Sequence, residues 1–381
     1  MKKEVNKMAS FGASFIKQIF PIFSAKEKAE EYLSAKLKQE INVDQIKVSF
    51  SVDSQIVGFR YKLGKVIEVY GKPSERLHLK TGFKDSLFLE AEYLILDYLY
   101  RKVWVDNKII VPQPLFYDRK LGCFVRNAIA GENLASIILR KNSLTKTKSD
   151  DSLHLLLAAL REVNWQKMPI KPPYFLKNRL NEMATELVPL IKLAKWKILD
   201  LKNLEFDLAE FIGLATDILE RLGNLKLRES EMSFCHGDLH HQNILCQMGK
   251  VGLIDFDKAG IFSSLYDLGS YLFYLDYKFN RVFDRKTLMD HKQKMISFFL
   301  TEKPSEKKRI GEINLFQAEI ALRIALSLMV EVVMSNDSQR PEITQRTETL
   351  YLLAEKIGRC LKNQEPDLEV YRYFDPGFAA E

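Results

Sequence analysis

Between Phe234 and Asp257 the chain reads Phe-Cys-His236-Gly-Asp238-Leu-His-His-Gln-Asn243-Ile-Leu-Cys-Gln-Met-Gly-Lys-Val-Gly-Leu-Ile-Asp255-Phe-Asp257. Met248-Gly249-Lys250 separates the apolar runs Ile244–Cys246 and Val251–Ile254, so the segment predicts loop, strand, turn and strand. Asn243 then stands at the entry of a hairpin and Asp255 at its exit, where two side chains can share one metal ion. Asp238 lies on the loop feeding the first strand. A carboxylate beside such a metal pair suits phosphoryl transfer. One acid orients and deprotonates an attacking hydroxyl, while amide and carboxylate oxygens hold Mg²⁺ on nucleotide phosphates. Cys235, His236, His240 and His241 invite a zinc reading, because His236 and His240 have i,i+4 spacing. Gly237 and the strand-like flanks oppose a helix there, and Cys235 and His236 would point to opposite faces of an extended chain.

These residues need elements to position them. Residues 12–40 read as helical. Ile46–Val52, Lys65–Tyr70 and Arg76–Thr81 are short β-type runs punctuated by Gly58, Gly64, Gly71 and Gly82, which predicts an antiparallel meander. A helix is expected over Leu87–Lys102. Strands are expected at Leu115–Tyr117 and Gly122–Val125. Beyond Glu132 nearly everything apart from the hairpin reads as helical, with Lys141–Asp151 as a polar surface loop. The expected division is an N-terminal helical extension over 1–45, a small α+β unit over 46–128 and a larger helical unit over 129–381. A cleft between two such units is a natural ligand site.

His236-Gly-Asp238-x4-Asn243 followed by Ile254-Asp255-Phe-Asp257 resembles the signature of the aminoglycoside phosphotransferase/choline kinase group of kinase-like enzymes. Leu265-Tyr-Asp267-Leu-Gly269 resembles that group's recurring Asp-Leu turn. The resemblance implies an α+β, two-lobed protein kinase-like fold, with a small antiparallel-sheet N-lobe and a larger, mostly helical C-lobe. It implies Asp238 as catalytic base, Asn243 and Asp255 as Mg²⁺ ligands, His236 as a member tying the loop to the core, and Asp267 as a structural anchor. Asp257 matches an acidic position of the group, with a metal role and a hairpin-stabilising role both open. His240 and His241 would border the acceptor site or stand as exposed loop histidines.

On the nucleotide side, the resemblance asks for a strand lysine paired with a helix glutamate. Lys80 in Leu77-His-Leu-Lys80 fits the lysine, although His78 is larger than the residue usual two places earlier. Glu92 or Glu90 fits the glutamate, with Glu92 preferred for Leu96 and Leu99 beneath it. The phosphate-covering loop falls around Gly58–Lys65 without a G-x-G-x-x-G. Phe124–Ile129 resembles the hinge, whose backbone at Arg126 and Ala128 would bind adenine. ATP and Mg²⁺ are the implied cofactors.

The acceptor is less defined. The chain has 381 residues, 57 Lys+Arg against 50 Asp+Glu and a net charge of +7, which favours anionic partners over polycationic ones. Between Gly58 and Lys84 seven basic residues face two acidic ones, placing part of that excess on the phosphate-facing segment. A hydrophobic fraction of 46% excludes disorder, and four cysteines without a C-x-x-C pair oppose a disulfide or zinc framework. The N-terminus lacks a clean apolar run, and no stretch of 18 apolar residues occurs, so a cytoplasmic location with no transmembrane segment is expected. The expected partners are a nucleotide and a small-molecule hydroxyl acceptor of the sugar or amino-alcohol class, with no nucleic acid. An anionic or lipid-linked saccharide, as in lipopolysaccharide core-sugar kinases, and a non-catalytic nucleotide-binding scaffold are the alternative readings. Helices over 174–223 and 286–359 would supply the acceptor pocket. Leu160-Arg161 stands where the group usually carries a Leu-His pair.

Overall fold

The computed structural model describes residues 22–23, 25–54, 61–71, 76–81, 87–104, 109–141, 144, 149–169, 207–247, 250–302, 307, 309–334 and 341–371. The chain divides into two compact units. Unit 1 holds residues 1–131, 166–171 and 252–258, and unit 2 holds the remainder.

Unit 1 opens with helix α1 (Lys26–Leu37), followed by strands β1 (Val43–Ser54), β2 (Tyr61–Gly71) and β3 (Arg76–Thr81). Helix α2 (Leu87–Tyr98) runs into a π-turn over Leu99–Val103. Strands β4 (Ile109–Ile110), β5 (Pro114–Asp118) and β6 (Cys123–Asn127) complete the unit. Five of these strands form one antiparallel sheet in the order β1-β2-β3-β6-β5. The helix expected within an N-terminal extension is built into this unit. Ala29 and Leu33 of α1 are fully buried with Val43, Val69, Leu77, Cys123 and Val125 of the sheet. Tyr32 donates to Asp118 Oδ2 at 2.9 Å, and Lys36 meets the same oxygen at 2.7 Å. A helix four residues apart in its apolar positions must cover an apolar surface, and the sheet supplies it.

Unit 2 begins with β7 (Glu132–Asn133), α3 (Leu134–Lys141) and α4 (Ser149–Glu162). Helix α5 (Leu208–Gly223) starts at Asp207, whose carboxylate accepts from the N–H groups of Ala209 and Glu210 at 2.9 Å. Next come β8 (Met232–Cys235), β9 (Ile244–Gln247) and β11 (Gly260–Ser263), while β10 (Lys250–Leu253) is divided between unit 2 and the 252–258 stretch of unit 1. The chain then forms helices α6 (Tyr266–Phe279), α7 (Arg285–Glu302), α8 (Glu312–Met334) and α9 (Pro341–Lys362). The expected hairpin is β9–β10, and β9 also pairs with β7. The antiparallel pair β8–β11 lies outside the helical expectation for this unit: Gly260 opposes Cys235 and Ser263 opposes Met232. Each is only four residues long, too short to show a period.

Helix α6 is the centre of unit 2, with Tyr266–Phe273 and Leu275–Tyr277 all buried. It packs on α8 at a point of backbone approach. A Cβ built on Gly269 would stand 2.9 Å from Phe316 Cβ and 3.3 Å from the Ile313 carbonyl. Gly269→Ala is expected to cost about 1–3 kcal/mol in urea unfolding by overpacking this crossing. A Cβ added at Gly213 on α5 would meet nothing within 4 Å, so Gly213→Ala is expected to gain about 0.4–1 kcal/mol. Equal stabilities for the two variants would remove the close approach as the reason for glycine at 269.

The last described segment, residues 363–371, closes over buried charge. Asp276 of α6, Lys292 of α7 and Lys356 of α9 are fully buried, and Asp367 nearly so. Lys292 pairs with Asp276, and Lys356 lies 3.0 Å from Asp367 and 3.9 Å from Asp276. Lys292 Nζ also donates to the Glu369 carbonyl at 3.2 Å. Asn314 of α8 bonds the segment three times, donating to the Asn363 and Glu365 carbonyls at 3.2 and 2.6 Å and accepting from the Asp367 N–H at 2.7 Å. Burial pushes Lys292 down to about 8 and Asp276 upward, while their mutual attraction opposes both shifts.

Candidate active site

The loop between β8 and β9 carries the chemistry-bearing residues of unit 2. Gly237 has φ 80°, a left-handed conformation that only glycine adopts without strain, and it bends the chain between His236 and Asp238. At this bend the N–H groups of His236 and Gly237 both donate to the Asp267 carboxylate, at 2.7 and 3.0 Å. Asp267 is only 4% exposed, and burial raises its pKa, with the charge of nearby Asp238 adding to the rise and the two backbone bonds working against it. The expected anchor is thus a carboxylate in the first turn of α6 that grips the loop's main chain. His236 is fully buried, and its Nδ1 accepts from the Asp238 N–H at 3.3 Å.

Asp238 itself is 7% exposed. Its Oδ1 accepts from the Tyr274 hydroxyl at 3.2 Å, and its Oδ2 lies 4.0 Å from His240 Nε2. Asn243 is tied to the same residue: its Nδ2 donates to the Asp238 carbonyl at 3.0 Å. That bond fixes which way the amide faces and leaves Oδ1 as its acceptor end. The structure therefore brings Asp238, Asn243, His236 and Asp267 together. The reading of His240 and His241 as exposed loop residues does not hold. His241 is fully buried, its ring 4.5 Å from Tyr271 and 4.7 Å from Phe279, and burial drives its pKa well below the usual histidine range. His240 packs its ring 4.8 Å from that of Tyr274. The loop is tucked under α6, so its histidines are covered.

Lys80, Glu92, Arg126, Ala128 and Asp255 belong to unit 1. Lys80 sits on β3 opposite Val66 of β2 and Phe124 of β6, and its side chain lies outside the described residues. Glu92 is fully buried on α2, with Arg126 at 3.4 Å; Glu90 is part-exposed beside Arg119 at 3.5 Å. The Glu92–Arg126 pair went unforeseen in the sequence, where Arg126 was expected to serve through its backbone. In the fold Arg126 lies in mid-sheet, opposite His78 and Pro114, and Ala128 follows the strand. The turn with Gly58 lies outside the described residues, and Gly64 is within β2 opposite Ser51. Asp255 has φ 68°; among the described residues only Lys38, at a helix C-cap, shares a positive φ outside glycine. Aspartate tolerates this region at a modest cost, and such conformations gather at functional sites. Phe256 after it is buried, and the turn Phe256–Lys258 packs on α2.

Two features have no counterpart in the sequence reading. Tyr274 is one, its only sequence signal being an aromatic two helical turns beyond Asp267. The second is the group beside it on α8, where Glu319 accepts from Tyr266 at 2.7 Å and lies 2.9 Å from Arg323. For the zinc reading, the Cys235 thiol donates to the Ser263 carbonyl at 3.1 Å. Among the described residues no three His, Cys, Asp or Glu side chains are grouped to hold a metal, and no helix is long and apolar enough to cross a membrane.

No curated protein matches the chain. Solved structures do. Amicoumacin kinase hAmiN, in complex with AMP-PNP, Ca²⁺ and Ami, aligns at TM-score 0.55 and 12% identity over 92% of this chain and 98% of its own. Choline kinase from Cryptosporidium parvum Iowa II aligns at TM-score 0.54 and 15% identity, over 87% and 95% of the two chains. A thermostable mutant of aminoglycoside phosphotransferase APH(4)-Ia, in ternary complex with AMP-PNP and hygromycin B, gives 0.54 and 10%, over 88% and 97%. At these identities the likeness is one of fold, and the fold is that of the protein kinase-like enzymes. The profile of the phosphotransferase enzyme family matches residues 85–290, more than half of the sequence. With the His-Gly-Asp loop anchored as described, the chain belongs to the phosphotransferase enzyme family.

Proposed function

We propose that this protein moves the γ-phosphoryl group of ATP to a hydroxyl of a small molecule of the sugar or amino-alcohol class, with Mg²⁺. The observation that carries the reading is the Asp238 carboxylate, held at Oδ1 by Tyr274 on a loop whose main chain is gripped by Asp267. Asp238 accepts the proton as the acceptor O–H bond breaks and the new O–P bond forms, while the β,γ-bridging P–O bond breaks and ADP leaves. The oriented amide oxygen of Asn243 and the carboxylate of Asp255 are hard oxygen donors of the kind Mg²⁺ takes. When bound, the ion would neutralise charge on the nucleotide phosphates. Lys80, Glu92 and the hinge at Arg126 and Ala128 are assigned to the nucleotide.

The test incubates the full chain with γ-labelled ATP and Mg²⁺ against neutral sugars, amino-alcohols, aminoglycosides and anionic saccharides, with Asp238→Asn as the blank. Label on a hydroxyl of a sugar or amino-alcohol, lost with EDTA and in the blank, is the expected result. Label found on no acceptor by a protein that binds Mg-ATP would leave the non-catalytic scaffold reading in its place. Label confined to anionic saccharides would move the acceptor class.

A further inference from the structure

Helix α6 holds the His-Gly-Asp stretch of the candidate loop through two polar side chains. Asp267 and Tyr274 are two turns apart on it and so present one face. Through Asp267 that face takes the N–H groups of His236 and Gly237, and through Tyr274 it donates to Asp238 Oδ1 at 3.2 Å. Three consecutive residues are thereby held by one helix face. The two contacts do different work. Asp267 fixes the main chain, and Tyr274 acts beyond it, on the last torsion of the Asp238 side chain. For an aspartate that torsion is broad and roughly two-fold, so local sterics do not choose the plane of the carboxylate. A hydrogen bond from a rigid neighbour does. Tyr274 is such a neighbour, its ring set against His240 at 4.8 Å and Phe273 at 5.7 Å.

Resting on the phosphotransfer reading above, we infer that Tyr274 is a positioning residue whose hydroxyl sets the plane of the Asp238 carboxylate toward the acceptor hydroxyl. Burial, and next the charge of Asp238, raise the pKa of the phenol, so it remains a proton donor across the working pH range. The charged and titratable groups acting at this spot are Asp238 and His240 on the loop and Glu319 and Arg323 on α8.

The experiment compares the wild type, Tyr274→Phe, a protein with 3-fluorotyrosine at position 274, and Asp238→Asn. Each is given Mg-ATP with water, choline or glucose as the probe acceptor, and melting temperatures are taken in parallel. Tyr274→Phe is expected to lower kcat about tenfold and to leave KM for ATP within about twofold. The fluorinated ring keeps the donor and is expected to restore turnover. A kcat for Tyr274→Phe close to wild type, alongside an inactive Asp238→Asn, overturns the positioning role and spares the phosphotransfer reading. So does a fluorotyrosine protein as slow as the Phe variant, or a change confined to KM. An Asp238→Asn as active as wild type, or no ATP turnover with any probe, overturns the phosphotransfer reading and this inference with it.

Discussion

Asp238→Asn is expected to lower phosphoryl transfer by about a hundred- to ten-thousand-fold, the span usual for removing a general base. The substitution is close to isosteric, and the contacts around it separate chemistry from folding. Asn243 holds the backbone carbonyl of residue 238, and His236 accepts from its N–H. Neither bond uses the carboxylate. The loop is gripped through His236 and Gly237, again by main-chain groups. An amide at 238 can still accept from Tyr274 through its oxygen, so the loop should stay in place while the proton acceptor is gone. Affinity for Mg-ATP, read by calorimetry, and the melting temperature are expected to stay near wild type. A kcat within about threefold of wild type would take the base role away from Asp238.

The second large effect concerns stability. Lys292→Met is expected to destabilise the fold by about 3–5 kcal/mol, because it leaves Asp276 ionisable and fully buried with one partner removed. Lys356 at 3.9 Å offers only partial compensation, since Asp367 engages it at 3.0 Å. The double variant Lys292→Met with Asp276→Leu removes both charges and is expected to recover most of the loss. Urea unfolding of the three proteins measures both quantities. A single variant within about 1 kcal/mol of wild type would mean that the pair is already neutral in the folded chain.

Much of unit 1 and of the candidate loop was legible in the sequence because their signals are local. Strand alternation and glycine punctuation placed β1, β2 and β3, with the observed strands running a few residues longer at some ends. The hairpin followed from Met248-Gly249-Lys250 between two apolar runs. The expected strands at 115–117 and 122–125 became β5 and β6. What escaped is tertiary. Tyr274 meets Asp238 across 36 residues, and no spacing rule links a helix position to a loop so far upstream. Asp276, Lys292 and Lys356 are polar residues on helices, where a solvated face is the natural expectation, and only packing puts all three inside. Glu92 is legible as a helix glutamate above two leucines, but its partner in the fold is Arg126 of β6, a pairing that no spacing in the sequence marks.

The segment that closes over Lys292 and Lys356 also bears on when unit 2 can finish folding. Lys292 and the Leu368 carbonyl are separated by 76 residues. At synthesis rates of about 5–20 residues per second, the lysine emerges roughly 4–15 s before that carbonyl. During that interval α6, α7 and α8 can collapse, yet Asp367 and the carbonyls of 367–369 are still missing from the charged centre they will bury. A nascent chain arrested before residue 363 should therefore hold these helices as a loosely packed, protease-sensitive intermediate. Release of the following residues would convert it to the native state, which makes residues 363–371 the closing step in the assembly of the helical unit.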